Sequence, residues 1–297
     1  MPKKIILQIS MLAVGVIFLC HPALAQNTAA SGETMDRMKV LRAAADALGM
    51  IRWSDIGAGA TRLPGIDVVN TMEIFASGTI DTGGQSSTAE YHASLGYIPP
   101  AMRVEITRQG ASGADAHTIQ TVRENYAWNE SEIGAGLIPG KGTANPAMPA
   151  VKARLLQLWI LPYGIVKAAI AAGDKTKVSM ESGMTVLTFP LSGSLGGITV
   201  RATLDSKYLV TKVETKPDNP ALTNLVREVE YSDYADHGEV LTDIKSPGHV
   251  SEKEAGKPLL DLQIKMVNAN NPYLVFPVPP NVKSATTQAS ANAPGAR

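Results

Sequence analysis

Ile198-Thr199-Val200-Arg201-Ala202-Thr203-Leu204 carries an apolar or small side chain at every second position and a polar one between. Successive side chains of a strand point to opposite faces. The stretch is therefore a strand with one buried and one wet face, the pattern of an antiparallel sheet. The period recurs in Met102-Arg103-Val104-Glu105-Ile106-Thr107 and in Leu260-Asp261-Leu262-Gln263-Ile264-Lys265-Met266. Weaker candidates are residues 68–77, 89–95, 118–128, 184–189, 209–215, 225–231 and 239–245. Turn residues separate them: Asp205-Ser206-Lys207 as a tight turn, Pro217-Asp218-Asn219-Pro220 and Asn270-Asn271-Pro272 as longer breaks. Strands in succession with turns between them imply hairpins, not βαβ units.

Two segments follow a helical period instead. Over residues 33–48, Met35, Met38, Leu41, Ala45 and Leu48 recur at three- and four-residue spacing. Glu33 and Asp36 lie near the start of this segment and Gly49 follows its end. Over residues 149–172, Val151, Leu155, Leu158 and Trp159 share a face. Pro162 and Gly164 break that helix, because proline cannot donate the helical hydrogen bond. A second short helix over 165–172 then ends at Gly173. The predicted fold is α+β: a curved antiparallel sheet of about ten strands, with two or three helices covering its concave face. It spans residues 33–282 as one domain.

Composition removes several classes. The chain has 297 residues, 44% of them hydrophobic, so a core can form. The 27 basic and 27 acidic side chains leave no basic excess, which argues against binding nucleic acid through its phosphates. The lone Cys20 excludes a disulfide scaffold and a multi-cysteine metal site. Lys3 and Lys4, the apolar run from Ile5 to Leu19, and Ala23-Leu24-Ala25 read as a signal peptide over 1–25, cleaved between Ala25 and Gln26. The expected location is periplasmic or secreted, with no membrane-spanning segment once the signal is removed. Residues 26–32 form a polar leader. Residues 283–297, almost without large apolar side chains, are expected to be disordered.

No stretch of the sequence carries a catalytic motif. His92, His117, His237 and His249 form no zinc-hydrolase motif. Asp115-Ala116-His117 lies in a Gly/Ser/Ala loop. The acids and histidine of Asp233-Tyr234-Ala235-Asp236-His237-Gly238-Glu239 read as a polar turn, since turns demand such residues. Gly193-Ser194-Leu195-Gly196 lacks the spacing of a nucleophile elbow. Gly57-Ala58-Gly59 is only half of a dinucleotide fingerprint. Glu73, Glu90, Glu105 and Glu124 fall on different candidate strands, where exposed faces normally carry such charges. The reading is of a protein without catalytic residues, metal or cofactor.

From Met102 onward the order of short motifs becomes familiar. Arg103-Val104-Glu105 leads to Glu124-Asn125-Tyr126-Ala127-Trp128-Asn129, then to Leu156-Gln157-Leu158-Trp159-Ile160-Leu161-Pro162-Tyr163-Gly164 and Lys167-Ala168-Ala169. Val213-Glu214-Thr215, Asn219-Pro220, Glu230-Tyr231-Ser232-Asp233-Tyr234 and Val278-Pro279-Pro280-Asn281-Val282 follow. This order resembles the secreted N-terminal module that precedes a metallo-β-lactamase-fold hydrolase domain in a group of bacterial proteins. In layout the module is similar to the LolA/LolB-like lipoprotein carriers, a half-barrel closed by helices over an apolar cavity. In the long relatives a zinc-binding motif follows the Pro-x-x-Val stretch. Here a low-complexity tail follows Val282, so hydrolase chemistry is not expected.

The resemblance implies a periplasmic binding protein that holds a lipid or other apolar small molecule. Met72, Ile74, Val104, Ile106, Trp128, Trp159, Ile165 and Met266 are the candidate lining residues. The alternative is an accessory protein that docks onto a separate metallo-β-lactamase-fold hydrolase or an envelope partner. N-terminal sequencing of the exported chain should begin at Gln26; an intact Met1 would overturn the signal-peptide reading.

Overall fold

A computed structural model describes residues 36–51, 53–55, 60–62, 69–109, 115–236 and 243–291. The signal and leader expectations, His237, Gly57-Ala58-Gly59 and residues 292–297 lie outside these. Thirteen strands form one antiparallel sheet, numbered here in chain order. They are β1 Thr71–Thr82, β2 Gln85–Tyr97, β3 Pro100–Arg108, β4 Ala116–Arg123, β5 Tyr126–Glu130 and β6 Ala144–Pro146 in the first half. The second half holds β7 Lys177–Glu181, β8 Met184–Pro190, β9 Ile198–Leu204, β10 Val210–Pro217, β11 Arg227–Ser232, β12 His249–Glu254 and β13 Lys257–Ala269. Helices α1 (Arg37–Ala47), α2 (Val151–Trp159), α3 (Pro162–Ala171) and α4 (Pro280–Ala291) complete the described elements, apart from short 3-10 turns and two small strand pairs.

The order across the sheet is β6-β5-β4-β3-β2-β1-β13-β12-β11-β10-β9-β8-β7. Every neighbour is consecutive in sequence except one. Two meanders are joined where β1 pairs with β13, from Leu260↔Ile80 to Ala269↔Met72. The terminal strands β6 and β7 do not pair with each other, so the sheet stays open.

The strand count exceeds the expected ten for local reasons. Residues 118–128 are not one strand but the hairpin β4-β5, turned at Glu124 with φ 51°. Strand β6 is short and contains Pro146, as an edge tolerates. The edge strand β7 is exposed along most of its length, so no apolar alternation marks it. In β12 the buried inner-face residue is the acid Glu252, which hides the strand from a hydrophobicity reading. The candidate at 239–245 falls largely outside the described residues, and Lys245–Ser246 pairs only with Ala235–Asp236.

Helix α1 is capped by Asp36, whose carboxylate accepts from the Met38 and Lys39 amides. It buries Val40, Leu41, Ala44 and Ala45, while Met38 is exposed. Pro162 does more than end α2. Placed in the first turn of α3, where its missing N–H costs nothing, it starts a new helix bent 98° from the preceding one. Among the described residues no single helix is long and apolar enough to cross a membrane.

The tail differs from expectation, being helical as far as Ala291. Pro280 suits a first helical position, and fully buried Val282 anchors the helix against Trp128, Ala144 and Val278.

Gly78 sits where the joining strands come closest. A Cβ there would overlap the Asp261 carbonyl and crowd the Leu262 Cα. Gly78→Val should therefore destabilise the fold by about 2 kcal/mol, read as a lower urea midpoint; an unchanged midpoint would show that the β1-β13 seam yields freely.

Candidate functional site

The sheet has an inner face, against which α2 packs, and an outer face. On β1 the inner positions are Met72, Ile74, Ala76 and Ile80; on β2 they are Ala89, Tyr91, Ala93 and Leu95. Beneath the bend between α2 and α3, Ile74, Ile80, Tyr91 and Ala93 of these border a narrow, mainly apolar channel. Met102 of β3, Tyr91 and Ala93 of β2, Ile74 of β1, Leu262 and Ile264 of β13, Val250 of β12 and Tyr231 of β11 all reach it. In a flat sheet β3 and β11 would stand about 24 Å apart at the usual interstrand spacing. Both border one channel, so the sheet is strongly curved around it.

Three cavities that share lining residues make up the channel. The smallest, of about 20 Å³, lies between Pro162, Tyr163, Ser246, Pro247 and Val267. The middle, of about 50 Å³, shares Ile74, Leu161, Tyr231, Val250 and Ile264 with it. The mouth, of about 410 Å³, shares Tyr91, Gln157 and Leu260 with the middle and opens past Ile80, Val104, Ile106, Arg108, Arg154 and Arg227. Three tyrosines fix the helices over it. Tyr231 donates to the Ile160 carbonyl at 2.9 Å, Tyr91 receives the Gln157 amide at 3.2 Å, and Tyr163 donates to the Lys245 carbonyl beside Ser246. Burial pushes all three phenols well above the ordinary tyrosine range, so they stay protonated, Tyr231 and Tyr163 as donors and Tyr91 as acceptor from Gln157.

Charge enters the channel at one wall. Arg227 bonds Glu252 at 2.7 Å and Glu254 at 2.7 Å, and both Arg227 and Glu252 are buried. Burial raises the Glu252 carboxyl above the ordinary range, against the lowering by Arg227. Arg154, on α2, donates to the Thr121 and Trp128 carbonyls at 2.9 and 2.7 Å and to Asn129 Oδ1 at 2.6 Å. Desolvation brings its guanidinium down to about 10, still charged at neutral pH.

The eight candidate lining residues divide. Ile74, Val104 and Ile106 border the channel. Met72 and Ile165 are fully buried in the core and border none of its three sections. Trp159 lines a separate cavity of about 280 Å³ beside Leu155, Ser192 and Leu195. Trp128 and Met266 are corrections, since both lie on the outer face. The turn at Glu124 pairs Ala127 with Val122, so Trp128 falls opposite Thr121 and away from the channel. There it donates to Glu130 Oε1 at 2.9 Å and packs under α4. A bulge between Ile264 and Met266 shifts the alternation by one residue, setting Met266 beside Phe75 at 45% exposure.

Tyr91, Tyr231, Gln157 and the Arg227–Glu252 pair were not legible as channel residues. Their only sequence signal is position: Tyr91 alternates with Ala89 and Ala93, and Tyr231 with Val229 and Arg227.

The described histidines serve elsewhere. His92 stacks on Phe75 with ring centroids 4.1 Å apart and lies 3.2 Å from Glu105 on the outer face. His117 bonds Thr107 and His249 bonds Asp261. Gly193–Leu195 is a single 3-10 turn. Among the described residues no three His, Cys, Asp or Glu side chains gather to hold a metal.

The buried ion pair sets a pH dependence. Glu252 carries a raised pKa in the folded state, so its stabilising contribution is full below 4.5 and is lost as pH rises through the folded value. Arg227→Met removes the opposing cation and leaves the carboxylate buried. It should cost about 3–5 kcal/mol at pH 7, a deficit that shrinks as pH falls toward 4.5. Urea titrations at pH 7 and 5 check this; a deficit independent of pH would show that Glu252 is not the group left behind.

No protein-family model and no curated protein matches this chain. Three solved structures are similar in fold. A LolA superfamily protein from Nitrosomonas europaea has a TM-score of 0.44 at 10% identity, covering 78% of this chain and 93% of its own. A domain described as an outer membrane lipoprotein-sorting protein, from Vibrio parahaemolyticus, has 0.42 at 9% identity, covering 69% and 87%. A DUF1329 family protein from Desulfovibrio piger has 0.40 at 9% identity, covering 70% and 89%.

Proposed function

We propose that this chain is an exported, non-catalytic carrier that holds an apolar ligand of acyl-chain type in the channel beneath the α2-α3 bend. The observation that carries the reading is the row of cavities along the inner face. Three of them, of about 410, 50 and 20 Å³, share lining residues in succession, and their walls come from seven adjacent strands and both helices. A linear chain fits such a taper better than a compact ring does. The inner sections are too small for a thick guest as they stand, so entry requires α2 and α3 to lift. Entry must then release the bonds of Gln157, Arg154 and Tyr231–Ile160 that hold α2 to the sheet, together with its apolar contacts.

A second reading, an accessory subunit for a separate hydrolase or envelope complex, draws support from Tyr273 and Val275, which are 86% and 68% exposed on the segment leading to α4.

Fluorescence titration with cis-parinaric acid, an acyl-chain probe, tests the carrier reading. The wild-type protein should bind it saturably, and Ile264→Trp, which fills the middle section, should weaken binding at least tenfold while leaving the circular dichroism unchanged. Equal binding by both proteins would place the probe elsewhere, and absence of binding to the wild type would remove the carrier reading.

A further inference from the structure

The mouth of the channel is not apolar. Arg108, Arg154 and Arg227 all line it, together with Gln120, Gln157, Asp81 and Glu254. Arg227 is shared by two acids, Glu252 and Glu254, each 2.7 Å away. Arg154 is 9% exposed, and its hydrogen bonds go to two backbone carbonyls and one side-chain amide, all neutral acceptors. The Nε of Arg108 is buried without a hydrogen-bond partner. Two guanidiniums therefore line the mouth without an acid bonded to them, while the rim's carboxylates are Asp81 and the Glu254 held by Arg227. A guanidinium held out of water gains most from an anion that meets its remaining N–H groups, and its planar fork matches a carboxylate or phosphate. Directly beyond these cations the walls turn apolar, from Ile80, Val104 and Ile106 to Ile74 and Leu262.

We propose that the ligand is an anionic single-chain amphiphile whose acidic head sits between Arg108 and Arg154 while its acyl chain runs toward Tyr231. The inference rests on the carrier reading and adds the chemical class of the guest and its direction in the channel. Asp81 opposes the head and sets an upper bound on the affinity. Arg154 has a second role, as it ties α2 to β4 and β5 through the Thr121 and Trp128 carbonyls. An acidic head drawn to it would engage the same side chain that holds the helix down.

Calorimetric titration of the full exported chain with hexadecanoate and with hexadecanol, both below their aggregation concentrations, tests this. The acid should bind at least tenfold more tightly than the alcohol. Arg108→Gln should reduce that preference severalfold and leave the alcohol unchanged, while Asp81→Asn should increase it. Arg154→Gln should act as Arg108→Gln does; because this variant also loses bonds to the sheet, Arg108 and Asp81 carry the decision. Equal affinity for acid and alcohol, or a loss that falls equally on both, would overturn the charged mouth while leaving the carrier reading intact. Binding of neither would overturn the carrier reading itself.

Discussion

The pairing of β1 with β13 is the constraint on which the rest depends. Each meander could form from local hairpins, such as Thr82-Gly83-Gly84-Gln85, where two glycines at φ 61° and 85° supply the turn that matches strand twist. Neither meander encloses anything alone. Only the seam between Thr71–Thr82 and Lys257–Ala269 brings the inner face of the first half opposite that of the second. The seam joins residues nearly two hundred apart, so loop-closure entropy opposes it and a long ladder must offset that cost. Gly78, with no side chain, permits the closest approach along it, and the bulge at Ile264/Met266 bends it. Curvature and closure thus arise in the same strand pair, and the channel is what lies inside the bend.

Small side chains line part of the inner face. Ala76, Ala89 and Ala93 are buried there, and Ala93 borders the middle cavity. The helices cannot follow the curve as one rod, because Leu161-Pro162 breaks them and turns the chain 98°. The bent pair is buried along its length, from Leu155 and Leu158 through Ile160 and Tyr163 at the corner to Ile165. The tyrosine hydroxyls bridge that corner with directional bonds to Ile160 and Gln157, which fixes the helices without filling the volume.

How much of this could be read from the residues depends on what each feature requires. The period of Ile198–Leu204 survives unchanged because both neighbours pair in register along nearly its whole length. The helical segments were legible for a similar local reason, down to the break at Pro162. Face assignment failed wherever a single residue reset the alternation. Glu124 at positive φ turned a continuous stretch into a hairpin and sent Trp128 outward, and one bulge did the same to Met266. Neither event leaves a hydrophobicity signal. Strand β12 failed for a different reason: its inner position is filled by Glu252, and an acid on a buried face makes sense only when Arg227, 25 positions away, is seen to meet it.

That ion pair also explains why the channel stops being a core. Replacing a buried pair by apolar residues of similar volume is often neutral or stabilising, so stability alone gives little reason to keep Arg227 and Glu252 inside. What the pair does supply is a polar wall between the mouth and the apolar middle section. A charged pair, already satisfied by its own bonds and by Glu254, has no further use for helix contacts. Its acids are engaged with Arg227, and none is bonded to Arg108 or Arg154, which line the same cavity. The polarity of the mouth then follows from one placement of side chains.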